Sequence, residues 1–104
     1  MSPYAEPLSH KEIEDRLAEL PGWALSEDGA SLERTYRLPH IPAAVLVVHI
    51  AQIQDELNHH SDLTLGYQTV AVTITTHAAG GRLTERDFGL ARRIEDIAPA
   101  HGAA

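Results

Sequence analysis

The chain has no cysteine, which excludes disulfides, thiolate metal sites and a cysteine nucleophile together. Positive charge is scarce: 8 Lys and Arg stand against 15 Asp and Glu, for a formal net charge of −7. No run of Lys or Arg occurs anywhere, so the clustered positive charge that draws nucleic acid or an anionic membrane is missing. The longest apolar stretch, Ile41 to Ala51, is interrupted by His49 and falls far short of the roughly 20 residues of a membrane span. Met1 to Pro7 has no basic stretch leading into an apolar segment, so the reading is of no secretory signal and a cytoplasmic protein. Aromatics are few as well, one Phe, one Trp and three Tyr, whereas His is abundant at seven. That imbalance points to metal or proton chemistry without choosing between them.

At 104 residues one domain is expected, with one modest core. Residues 1–8 read as a loose lead-in and residues 99–104 as a frayed tail, leaving a core of about 9–98. No linker, repeat or low-complexity segment divides it. Ser9-His10-Lys11-Glu12 forms a capping box, and Ile13, Leu17 and Leu20 then share one helical face until Pro21-Gly22 stops the helix. Residues 23–26 and 30–38 read as two strands of a hairpin around Glu27-Asp28-Gly29, with Leu32, Arg34, Tyr36 and Leu38 on one face of the second.

Pro42 suits the first turn of a second helix continuing through Asn58. From Ile41 to Ala51 that helix is apolar nearly all round, although a small domain can cover only one side of it, so its outer face is expected to be buried by a second copy of the chain. Leu63 and Leu65 mark a third strand, and Val70, Val72, Ile74 and Thr76 one face of a fourth. Thr84 to Asp87 forms a second capping box, with Leu83 and Phe88 placed as a hydrophobic staple and Leu90, Ile94 and Ile97 continuing a third helix. The order α-β-β-α-β-β-α predicts an α+β fold, with three helices on one face of a four-stranded, largely antiparallel sheet.

Four of the seven His have ordinary readings: His10 in an exposed first turn, His40 in a loop, His101 in the tail and His49 packed in the apolar helix. His59 and His60 end the second helix and His77 ends the fourth strand. Stabilisation of a helix C-terminus accounts for the pair by itself. A helix end and a strand end that meet at one rim of the sheet would instead gather the three imidazoles around one cleft, with a proton donor and acceptor near neutrality. Three imidazoles also suit zinc, but adjacent helical residues point about 100° apart, which makes joint chelation by His59 and His60 awkward. Gly80-Gly81 reads as a turn, Ser61 lacks the context of a nucleophile elbow, and Asp87 reads first as the capping-box carboxylate.

Asp55, His59-His60-Ser61, Tyr67, His77 and Asp87, at their spacing, resemble the signature of the pterin-4a-carbinolamine dehydratases. Gly22-Trp23, Val70 to His77 and Leu83-Thr84-Glu85-Arg86-Asp87-Phe88 agree with it, so the resemblance spans roughly residues 9 to 98. It implies the fold read above, assembled as a homodimer or homotetramer through the helix 41–58. It also implies removal of water from 4a-hydroxytetrahydropterin to give the quinonoid dihydropterin, after an aromatic amino acid hydroxylase, with no metal or organic cofactor.

The resemblance makes His59 and His77 the acid and base, in either order, and His60 the residue that binds and orients the pterin. Asp55, Asn58, Ser61, Thr75, Thr76 and Asp87 match positions that line or support the site. Three positions depart from the pattern: Ser61 where Pro is common, Leu63 where many members have Trp close to the pterin, and Arg82 as one extra loop residue. Losing an aromatic wall weakens ring stacking, worth about 0.5 to 1.5 kcal/mol beyond burial. The alternative is a non-catalytic member acting as an assembly chaperone or partner-binding dimer, a role that gives no chemical reason to keep the three His. Nothing in the sequence supports the transcription-factor partner of a eukaryotic branch.

Overall fold

A computed structural model describes residues 6–104 and, of Ala78, the backbone only. Helix α1 (His10–Leu17) is followed by strands β1 (Ala24–Leu25) and β2 (Leu32–Arg37), helix α2 (His40–Leu57), strands β3 (Asp62–Leu65) and β4 (Thr69–Ile74), and helix α3 (Glu85–Ile97). The strands form one antiparallel sheet in the order β1-β2-β4-β3. This is the expected order of elements and class of sheet. The first strand is shorter than its expected span of 23–26, since β1 keeps only two residues; of the lead-in, residues 1–5 lie outside the described residues.

Alternation decides which face of the sheet is dry. Leu32 and Tyr36 on β2 and Val70, Val72 and Ile74 on β4 are buried, while Glu33, Thr35 and Arg37 point to solvent. Helix α2 brings Ala43, Leu46, Ile50 and Ile53 onto that face, and α3 adds Phe88, Leu90, Ala91 and Ile94. Each of the larger aliphatic side chains contributes about 1.5–3 kcal/mol by leaving water. Helix α1 buries no residue fully, and Ile13 and Leu17 pack at the margin of the same core.

Three expectations about ends change. His40 is the first residue of α2 rather than a loop residue, and its Nδ1 lies 2.8 Å from the carbonyl of Tyr67. The segment read as a frayed tail forms a short 3₁₀ turn, Ala98–His101, and residue 104 exchanges backbone hydrogen bonds with Arg37. His59 and His60 lie beyond the end of α2, because Asn58 takes the left-handed conformation at φ 50° and turns the chain off the helix axis.

Candidate active site

The left-handed turn at Asn58 sends His59 and His60 in different directions. His59 goes inward, 7% exposed, and its Nε2 lies 2.7 Å from Oδ1 of Asp87. Asp87 is fully buried at the start of α3, where the capping box fixes it. Its Oδ2 accepts from the Thr84 amide at 2.8 Å and from the Thr76 hydroxyl at 2.7 Å. Thr76 in turn contacts the Thr84 hydroxyl at 2.9 Å. The same carboxylate therefore caps α3 and holds His59. Thr76, read as a substrate-binding position, is 2% exposed and serves this network.

His60 turns outward. Its Nε2 lies 2.9 Å from Oδ1 of Asp55, one turn back on α2, and both side chains are exposed. His77 follows β4 as the first residue of a 3₁₀ turn, His77–Ala79, rather than as the last residue of the strand. Because β3 starts beside the end of β4, with Asp62 opposite Thr73, His60 and His77 reach the same rim. Together with Ser61, Asp62, Thr73 and Thr75 they line a recess of about 140 Å³. Ser61 is held there by Gln54, whose Oε1 accepts from both its amide and its hydroxyl. Thr75 is anchored by donating to the Ala30 carbonyl at 2.7 Å.

The structure thus brings two of the three imidazoles into one recess, while His59 lines a larger neighbouring cavity of about 650 Å³ between the end of α2 and α3. Asn58, Glu85, Arg86 and Arg92 also line that cavity. Arg86 donates to the Asn58 carbonyl and so closes the end of α2 against α3. Burial alone would raise the Glu85 carboxyl, but ion pairs with Arg92 and Arg16, each at 2.5 Å, outweigh it and hold Glu85 below the ordinary carboxylate range. Leu63 lines neither cavity. It packs partly buried against the core from β3, so the position read as a wall of the site is here a core contact.

Gln54 and Thr84 were not among the residues singled out for the site. Gln54 gives a signal in retrospect, as a polar residue 5% exposed near the end of an apolar helix. No buried side-chain nitrogen or oxygen lacks a hydrogen-bond partner among the described residues, and no cluster of three or more His, Asp or Glu among them is arranged to hold a metal ion.

Residues 6–97 match the family model described as pterin 4 alpha carbinolamine dehydratase. A Streptomyces avermitilis protein named "Putative pterin-4-alpha-carbinolamine dehydratase" is 66% identical over 100 residues, covering 95% of this chain and 97% of its own length. A Chloroflexus aggregans protein of the same name is 44% identical over 91 residues, covering 86% of this chain and 95% of its own. The crystal structure of a transcriptional coactivator/pterin dehydratase from Brucella melitensis superposes with a TM-score of 0.83 at 26% identity, covering 88% of this chain and 98% of that one. With a family match over nearly all of the described residues, and relatives this similar along almost their whole length, the chain belongs to the pterin-4a-carbinolamine dehydratase family of hydro-lyases.

Proposed function

We propose that the chain dehydrates 4a-hydroxytetrahydropterin to quinonoid dihydropterin by acid/base catalysis with His59 and His77, His60 binding and orienting the pterin. The reaction needs two proton transfers. The 4a-hydroxyl leaves as water once an acid protonates it, and the N5 proton goes to a base. The observation that carries the reading is the arrangement at the end of α2 and β4, where His60 and His77 share a recess and His59 stands beside it on a buried carboxylate. Ser61 and Thr75 line that recess, Asn58 lines the larger cavity with His59, and Asp55 positions His60 from the preceding helical turn. On this reading the chain acts after an aromatic amino acid hydroxylase, as the resemblance implies.

The test is a dehydratase assay on chemically generated 4a-hydroxytetrahydropterin. Wild type should exceed the spontaneous rate, His59→Ala and His77→Ala should each lose about 10²–10⁴-fold in kcat, and the double variant should fall to the spontaneous rate. A wild type no faster than the spontaneous reaction, or a double variant that matches wild type, refutes the proposal. We also propose self-association through the exposed face of α2, whose Ile41, Val45 and Val48 are 71%, 50% and 61% exposed.

A further inference from the structure

We propose that the cavity between the end of α2 and α3 binds a small organic anion, an apolar body carrying a phosphate or carboxylate group, which Arg86, Arg92 and Arg93 hold against the bare backbone at Gly89. The site is separate from the recess at His60 and His77. The ring system of 4a-hydroxytetrahydropterin carries no anionic group, so the proposed substrate does not account for it.

Charge is the first observation. The chain has only 8 Lys and Arg against 15 Asp and Glu, yet Arg86, Arg92 and Arg93 all line this one cavity, and Arg16 reaches its Glu85 from α1. Glu85 pairs with Arg16 and Arg92, and Glu56 pairs with Arg93 at 2.8 Å. Those pairs tie the helices together, which is a sufficient reason for Arg16, Arg92 and Arg93. Arg86 is different. It makes no ion pair among the described residues, and its Nη2 donates to the Asn58 carbonyl. A guanidinium has more N–H donors than that contact uses, and a planar group with donors to spare takes the oxygens of a carboxylate or phosphate in pairs. Cations lining one cleft also draw an anion towards it, because the walls focus their field.

Shape is the second observation, and it is independent of the first. Gly89 lies in the second turn of α3, where only Pro is less favourable than Gly. Its backbone is not left-handed. A methyl group at this position would meet no other side chain, and no backbone outside its own helix, within 4 Å. Neither conformation nor packing therefore calls for glycine. What a methyl group would enter is the cavity that Gly89 lines. A bare backbone there lets a ligand approach α3 closely. Leu57, 36% exposed, adds an apolar wall to the same cavity, whose volume of about 650 Å³ is that of a small-molecule site.

The experiment follows amide shifts of the ¹⁵N-labelled full chain during titration with phenyl phosphate, benzoate, inorganic phosphate and the neutral benzyl alcohol. Phenyl phosphate, benzoate or both should give saturable shifts at Asn58 and along the start of α3, and benzyl alcohol should bind about tenfold more weakly or not at all. The first two probes tell a phosphate site from a carboxylate site. Arg86→Gln should weaken the bound anion by about tenfold, whereas Arg37→Gln, the same charge change on the far side of the sheet, should leave it within about twofold. Gly89→Ala should raise the melting temperature while weakening binding, opposite signs that a purely structural glycine does not produce. Gly89→Leu should abolish binding, and it keeps the test decisive where Arg86→Gln fails to fold.

Binding is read without turnover, so its outcome does not depend on the dehydratase reading. Absence of saturable shifts with either organic anion would overturn the proposal, as would equal effects of Arg86→Gln and Arg37→Gln. Benzyl alcohol binding as tightly as the anions would show an apolar pocket in which the arginines take no part. Inorganic phosphate binding as tightly as phenyl phosphate would remove the apolar body from the ligand. Displacement of the bound anion by 7,8-dihydrobiopterin at the same amides would make the cavity part of the pterin site and overturn its separate role.

Discussion

Glu85 shows how a single side chain at the cavity rim couples charge to stability. Burial raises its carboxyl, but the guanidinium groups of Arg92 and Arg16 more than compensate, so its folded-state value lies below the ordinary 4.5. A carboxylate depressed on folding adds stability that is present above the ordinary value and lost as pH falls through the folded one. Glu85→Gln should therefore lower the stability to denaturant at pH 7, by less than about 1 kcal/mol for pairs this exposed. The gap from wild type should close as the pH drops below about 4.5. A gap that stays constant from pH 7 to pH 3 would show that the ion pairs contribute nothing.

At this same scale the site was legible as residue types and less so as directions. His59, His60 and His77 stood out because imidazoles near element ends suggest convergence. The sequence did not reveal that Asn58 would turn left-handed and send two adjacent His to opposite sides of the chain. Asp87 reads from its spacing as a cap first, and its one carboxyl group both caps α3 and holds His59, because the start of α3 faces the end of β4. Sequence spacing alone carries no information about that meeting.

Elements differ in what holds their ends. Helix α1 has eight residues and buries none of them fully, so its start depends heavily on the Ser9–Glu12 capping box, where the Ser9 hydroxyl accepts from the Glu12 amide at 3.2 Å and the Ser9 amide donates to Glu12 at 2.9 Å. Ser9→Ala should cost about 1 kcal/mol of stability by denaturant melts, with the dehydratase rate unchanged because α1 touches neither cavity. An unaltered melt would mean that Ile13 and Leu17 hold the helix without its cap.

Both capping boxes and the alternation of β2 and β4 were readable because each is a local rule with a fixed period. The turn at Ala98–His101 was not, since it depends on distant partners. Residue 104 is held by the backbone of Arg37, and His101 meets His49 of α2 at 2.8 Å. No local pattern in residues 99–104 announces such contacts.

On the scale of the whole molecule, helix α2 carries two apolar stripes and the described residues cover one. Ala43, Leu46, Ile50 and Ile53 face the sheet and are 2% exposed or less, whereas Ile41, Val45 and Val48, four and three residues apart, form a second stripe that is at least half exposed. A chain of 11.3 kDa with a net charge of −7 repels its own copies at long range, so burying this stripe must outweigh that repulsion for self-association to occur. Val48→Glu tests the balance directly, because it adds one more negative charge and removes the centre of the apolar stripe. Equilibrium sedimentation at micromolar concentration should show wild type as a dimer or larger and Val48→Glu shifted towards 11.3 kDa, with circular dichroism unchanged because position 48 faces away from the core. Wild type sedimenting as a monomer would leave the second stripe to some other partner.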